Sequence, residues 1–151
     1  MVYLNNMNNM TQEELDLLTK DLCSRLRSRI WVKIGEFSDY TLVGYDSVKD
    51  TFTVELVDNH SLPNYITDIP AHYMKPYLRP MSSMSEEETK YKLSKFFKVI
   101  NTNIEGIGYI PTLNSGSAIE YVNWLIENHF DYNGLIPMGL ALEAKEGMYK
   151  S

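Results

Sequence analysis

The sequence predicts an α+β protein in which a small antiparallel sheet is packed by about three helices. Three segments place a serine or threonine three residues before a glutamate, the capping-box pattern that begins a helix. Between the first and the second of them, residues 30–78 contain short runs of β-branched and aromatic residues separated by turn residues. Helical segments on either side of a β-region are typical of the α+β class.

The length of 151 residues is that of one domain, so we expect a single domain over residues 1–151. Within it, we expect residues 1–10 to be flexible, residues 11–28 to form a helix, residues 30–78 to form the β-region, and residues 83–151 to be mainly helical.

The first helix is predicted to begin at Thr11, because Glu14 completes a capping box with it. Its apolar stripe repeats at spacings of three and four, through Leu15, Leu18, Leu22 and Leu26. The single cysteine, Cys23, lies beside this stripe without a second cysteine at CxxC spacing, so we interpret it as a small core residue.

The β-region contains four candidate strands, at residues 30–34, 40–45, 51–57 and 65–69. The third alternates cleanly and places Phe52, Val54 and Leu56 on one face. Short strands at this spacing are compatible with an SH3-like barrel, and an open sheet of three or four strands covered by the first helix is the alternative.

The C-terminal part contains two predicted helices. Ser85 with Glu88, or Ser83 with Glu86, caps the second helix, and Ser117 with Glu120 caps the third. The apolar spacing predicts these buried faces: Tyr91, Leu93, Phe96, Phe97 and Ile100 on the second helix, and Ile119, Val122, Ile126 and Phe130 on the third. We expect a loop or hairpin between these helices, a packed segment at 135–144 and a loose one at 145–151.

Catalytic and metal-binding patterns are missing from the sequence. His60, His72 and His129 have no metal-ligand spacing, and no serine or cysteine nucleophile motif or phosphate-binding loop is present. We therefore predict no catalytic residue, no metal and no cofactor. A ligand or active site assembled only by the fold remains the alternative, and its candidate residues are His129, Asp131 and Tyr132.

Aromatic residues in the β-region provide the candidate interaction surface. Trp31, Tyr40, Tyr45 and Tyr65 fall on predicted strands, and aromatic grooves on small sheets bind peptides and cationic side chains. The competing interpretation is that these rings fill the core, since strands favour aromatic residues in any case.

The charge distribution bears on the partner. The net charge of −6 arises mainly in residues 30–80, with seven acids and four bases, and in residues 101–151, with six and two. A basic protein is therefore a better partner than nucleic acid. The basic residues Arg25, Arg27 and Arg29 are interpreted as the solvated end of the first helix, where cations suit the helix dipole. With no apolar run of about 18 residues, no secretion signal and one cysteine, we expect a cytoplasmic protein that does not enter membranes.

Two stretches of the chain resemble a known family. They are YLRPMSSMSEEE at residues 77–88 and NHFDYNGLIPMGLALEA at residues 128–144. Together they resemble a family of small uncharacterised proteins from gut bacteria, their prophages and mobile elements. The resemblance implies a bacterial or phage cytoplasmic setting and carries no activity, cofactor or catalytic residue. From the sequence we therefore predict a non-catalytic protein-interaction module of phage or mobile-element origin.

Overall fold

The computed structural model describes residues 10–36, 38–57, 64–101, 109–113 and 117–149. Within these ranges the helices are α1 (Gln12–Ser24), α2 (Glu86–Phe96) and α3 (Ala118–Glu127), and short 3-10 helices span Leu26–Ser28, Ala71–Tyr73 and Met81–Ser83. The strands are β1 (Trp31–Ile34), β2 (Ser38–Asp46), β3 (Thr51–Leu56), β4 (Tyr65–Ile69), β5 (Met74–Leu78), β6 (Phe97–Asn101), β7 (Tyr109–Leu113) and β8 (Leu142–Glu143). The candidate His60 and residues 1–9 of the N-terminal segment lie outside the described residues.

The main sheet has six strands in the order β4-β3-β2-β1-β5-β8. Its pairs are antiparallel except for β5 with β8, which run parallel through Tyr77↔Leu142 and Leu78↔Glu143. The α+β class is thus confirmed, and the sheet is open. The barrel alternative is wrong because β8 occupies the outer edge of β5, so β4 and β5 do not meet within the described part of the sheet.

The main core lies between α1 and one face of this sheet. Leu18 and Leu22 of the predicted stripe are completely buried, and Thr11 caps α1 by accepting a hydrogen bond from the Glu14 N–H at 3.1 Å. The C-terminal segment fills the same core with Leu135, Leu140 and Ala141, which confirms the packing predicted for residues 135–144. Met10, from the stretch expected to be flexible, also packs against this core.

A second, aromatic cluster joins α2, α3 and the strand β6. Ser85 and Glu88 form the complete capping box predicted for α2. The rings of the cluster lie with centroids 5.4 to 6.3 Å apart, and they belong to Tyr91, Phe96, Phe97, Tyr121, Trp124 and Phe130.

Two predictions for α3 are wrong. Ser117 makes no side-chain capping bond, because its backbone is already helical (φ −90°, ψ −4°) rather than extended as an N-cap requires. The buried face also differs from the prediction in part: Phe130 is buried as predicted, but Ile119 and Val122 are 76% and 38% exposed, and Leu125 is buried instead. The large rings of Tyr121 and Trp124 turn the helix so that they, and not the aliphatic residues, meet α2.

Candidate interaction surfaces

The four aromatic residues predicted as one surface lie on opposite faces of the sheet. Trp31 and Tyr65 belong to one cross-strand row, through Trp31↔Thr41, Thr41↔Glu55 and Glu55↔Tyr65. Residues paired across strands share a face, so Trp31 and Tyr65 lie on the same side, three strands or about 14 Å apart.

Tyr40 and Tyr45 point to the other side of the sheet and pack against the main core. Tyr40 pairs with Val32, and the Tyr45 ring packs against Phe52 at a tilt of 45°, with ring centroids 4.8 Å apart. The Tyr45 hydroxyl donates to Asp50 at 2.6 Å, and this hydrogen bond raises the pKa of Tyr45 to about 12. The structure therefore does not bring the four rings together, and for these two tyrosines it agrees with the core-filling interpretation.

Trp31 has a neighbour that sequence reasoning missed. The Tyr149 ring lies edge-on to Trp31, with centroids 6.4 Å apart. Its hydroxyl accepts a hydrogen bond from the backbone N–H of Trp31 at 3.0 Å and donates one to the backbone carbonyl of Tyr77 at 2.7 Å. The loose tail predicted for residues 145–151 is therefore wrong for residue 149, and burial raises the pKa of its phenol. No sequence pattern marks Tyr149, because its partners lie 72 and 118 positions earlier in the chain.

His129, from the predicted tertiary site, stacks on the other face of Tyr149. The ring centroids are 3.7 Å apart and the planes meet at 18°. The His129 backbone has a left-handed φ of 64°, and its carbonyl accepts from the Arg79 N–H at 2.8 Å. Burial, followed by the charges of Arg25 and Arg79, lowers the pKa of His129 to about 4, so the imidazole is neutral at neutral pH.

Asp131 and Tyr132, the other two candidates, have separate partners. The Asp131 carboxylate accepts from the Leu135 N–H at 2.8 Å and the Ile136 N–H at 2.9 Å, which fixes the turn after Phe130. The Tyr132 hydroxyl is hydrogen-bonded to the Ser24 hydroxyl at 2.8 Å. Asp131 thus stabilises a local turn, whereas Tyr132 connects the C-terminal segment to the end of α1.

Arg25 is buried rather than solvated, so that prediction is wrong. Its side chain and that of Asp21 are both 0% exposed. The guanidinium donates to Asp21 from Nε at 2.8 Å and from Nη2 at 3.2 Å, and Nη2 also reaches the Phe130 carbonyl at 2.7 Å. Asn133 donates a further hydrogen bond to Asp21 at 2.8 Å. The pair joins the end of α1 to residues 130–133, which leaves Arg27 and Arg29 as the exposed arginines of the predicted basic stretch.

A second arginine holds α2 against the same segment. Arg79 donates to both oxygens of Glu88, at 2.9 and 2.6 Å, and its guanidinium lies 4.1 Å from the Phe130 ring centroid. The hydrogen bond from Arg79 is the main cause of the pKa of Glu88 falling to about 2. The capping residue of α2 therefore also belongs to the junction between the sheet and the C-terminal segment.

The outward face of α3 is an apolar stripe that is exposed at Ile119 and Val122 and half-buried at Ile126. We use the name "α3 stripe" for Ile119, Val122 and Ile126, which follow one another at spacings of three and four along one side of the helix. Ile119 is 76% exposed. Glu120 and Glu127 are the charged residues of α3, and the helix contains no lysine or arginine.

A groove of about 530 Å³ continues the α3 stripe toward the end of α1. It is lined by Cys23, Ser24, Leu26, Arg27, Ser28, Asn123, Ile126 and Glu127. Partial burial raises the pKa of the Cys23 thiol, which makes it a poor nucleophile at neutral pH. The groove has the size of a small ligand pocket, and it adjoins the α3 stripe through Ile126.

Neither a metal cluster nor a membrane helix occurs in the described ranges. No three side chains among the described histidines, cysteines and acids converge as a metal site requires. None of the helices in the described part of the chain has the length and apolar character of a membrane crossing.

Comparison with protein-family models, curated proteins and solved structures finds no match to this chain.

Proposed function

We propose that this chain is a non-catalytic protein-interaction module that binds its partner through the α3 stripe. The observation that carries the proposal is the exposure of Ile119 and Val122 on one face of a helix whose opposite face is buried in the aromatic cluster. Exposed apolar side chains that adjoin a groove are typical of protein-binding surfaces.

The chemistry of the surface indicates an amphipathic basic helix as the partner. The α3 stripe offers apolar positions at helical spacing, which suits the apolar face of a second helix. Glu120 and Glu127 lie along one side of it against the single base Arg27 in the lining of the groove, and this excess of acid favours lysine or arginine on the partner. A basic partner also fits the acidic balance of residues 101–151.

Other parts of the proposal rest on the sequence. The phage or mobile-element origin rests on the resemblance of residues 77–88 and 128–144, and the cytoplasmic location rests on the lone cysteine. The burial of Arg25 supports a protein partner over nucleic acid, because it removes one cation from the predicted basic stretch. Retention on heparin at low salt would contradict this part of the proposal.

The test is site-specific photo-crosslinking in a lysate of the source cells. A photo-crosslinking residue at position 119 should capture a defined protein through a basic helical segment, identified by mass spectrometry. The matched control carries the same crosslinker at Val48, which is 93% exposed in the turn between β2 and β3.

The Val122→Glu variant should abolish capture from position 119 without changing the thermal unfolding curve, since this side chain is partly exposed. Capture of the same proteins from positions 119 and 48, or capture that survives Val122→Glu, would refute the proposal.

A further inference from the structure

The end of the β1–β5 ladder, which we call the cleft, has the features of a binding site for a tyrosine side chain. The β1–β5 ladder runs from Ile34↔Met74 to Val32↔Pro76 and ends there. At the next position, the Tyr149 hydroxyl bridges the Trp31 N–H and the Tyr77 carbonyl. A phenol serves this bridge because it accepts one hydrogen bond and donates another.

The aromatic walls of the cleft fit the same ring. His129 stacks face to face on Tyr149, and Trp31 meets it edge-on. The edge-on contact with Trp31 is a favourable arrangement for an aromatic pair, and the close stack on His129 covers the face of the Tyr149 ring. The ring and the hydroxyl are thus recognised separately, by side chains from β1 and from the turn after α3 and by backbone groups from β1 and β5.

The segment that delivers Tyr149 is weakly attached elsewhere. Residues 145–147 are exposed, and the turn contains Gly147 with a left-handed φ of 78°. The other anchor of this segment is Lys145, whose Nζ lies 3.6 Å from Asp39 and 5.3 Å from the Tyr77 ring centroid. A short exposed segment held mainly by one side chain opens locally at a small fraction of the cost of global unfolding.

We propose that Tyr149 is an internal ligand, and that a tyrosine of a partner protein, with a basic residue four positions before it, displaces Tyr149 from the cleft. The spacing of four positions is that of Lys145 and Tyr149 in this chain: Lys145 contacts Asp39 while Tyr149 occupies the cleft. A phosphotyrosine does not fit, because the phosphate ester replaces the phenol proton that the Tyr77 carbonyl accepts. The inference is independent of the α3 stripe.

The experiment uses a fluorescent peptide with the sequence Lys-Glu-Gly-Met-Tyr, which is that of residues 145–149. A tethered side chain competes at an effective concentration of about millimolar, so removing it frees the cleft. The full-length Tyr149→Ala variant should therefore bind the peptide at least about tenfold more tightly than the original chain by fluorescence anisotropy. The control variant Tyr65→Ala, which removes an exposed tyrosine of the same sheet face, should bind like the original chain.

Two modified peptides and one NMR signal test the recognition itself. Phenylalanine in place of the peptide tyrosine should weaken binding about tenfold, because the Trp31 N–H and the Tyr77 carbonyl then lose their partner. The phosphotyrosine peptide should not bind. Binding of the unmodified peptide should shift the Trp31 amide resonance of the Tyr149→Ala variant.

Equal affinity of Tyr149→Ala and the original chain, or equal affinity for the tyrosine and phenylalanine peptides, would overturn the proposal. If Tyr149→Ala does not fold, Tyr149→Phe decides: it keeps the ring and should fold, with Trp31 amide exchange at least about tenfold faster. Unfolding of both variants would show that Tyr149 is a core residue and not a displaceable ligand, and would also refute the inference.

Discussion

The buried pair of Asp21 and Arg25 gives the largest single-residue effect that we expect. Asp21→Ala removes two hydrogen bonds from the Arg25 guanidinium and leaves its charge completely buried, with the Phe130 carbonyl as a remaining partner. Removing one partner of a buried ion pair lowers the free energy of unfolding by about 3–5 kcal/mol, because the remaining charge stays desolvated without a counter-charge. For a chain of this length, such a loss lowers Tm by about 6–20 °C.

The measurement is urea unfolding at pH 7 followed by circular dichroism, with the slope m compared between variants. The double variant Asp21→Leu/Arg25→Met removes both charges and should regain at least half of the lost free energy of unfolding, since paired replacement by apolar residues is often nearly neutral.

The matched control is Glu86→Ala, which breaks the pair with Lys90. This pair has the same i, i+4 spacing, but its side chains are 86% and 76% exposed. We expect a change below about 0.5 kcal/mol. A loss of less than about 1 kcal/mol for Asp21→Ala, or a double variant no more stable than the single one, would refute the reasoning.

Three further predictions concern a helix cap and two titrating groups. Ser85→Ala should lower the free energy of unfolding by about 1 kcal/mol, whereas Ser117→Ala should change it by less than about 0.3 kcal/mol, because of these two serines only Ser85 caps its helix. Equal effects of the two variants in urea unfolding would contradict the cap assignment. His129 has a folded pKa of about 4, below its unfolded value of 6.5, so its contribution to stability is complete above pH 6.5 and is lost, by about 2–3 kcal/mol, as the pH falls through 4. The variant His129→Asn, in which asparagine tolerates the left-handed φ, should flatten this part of the pH profile of the free energy of unfolding measured in urea. An unchanged slope in the variant would contradict the assignment to His129. Glu88 has a folded pKa of about 2 and an unfolded pKa of 4.5, so its contribution to stability is present above pH 4.5 and is lost toward pH 2. The variant Glu88→Gln should lower the free energy of unfolding by about 1–2 kcal/mol at pH 7 and by much less at pH 2.5. A loss that does not depend on pH would refute the pairing with Arg79.

Local patterns in the sequence predicted the elements that depend on local chemistry. The cap at Thr11, the capping box of Ser85 with Glu88 and the stripe of α1 all require residues within a few positions of one another, and all are present. The packed segment at 135–144 was predictable from its apolar composition alone.

The predictions that failed depend on contacts between distant parts of the chain. Arg25 is buried because it reaches the Phe130 carbonyl, 105 positions away, and the sheet stays open because β8 arrives from the C-terminal part. On α3, the aliphatic and the aromatic residues both have helical spacing, so periodicity alone could not decide which face is buried. The packing of Tyr121 and Trp124 against α2 decides it.

The parallel pairing of β5 with β8 sets the order in which the sheet can be completed during synthesis. Tyr77 pairs with Leu142, so the partner of β5 is made about 65 residues after β5 itself. At the usual rate of roughly 5–20 residues per second, the outer edge of β5 waits about 3–13 s for its strand. During that time it is an unpaired edge of the kind that pairs with other chains. The nascent protein is therefore exposed to aggregation at β5 until β8 is made, and a chaperone that binds extended segments would protect it there.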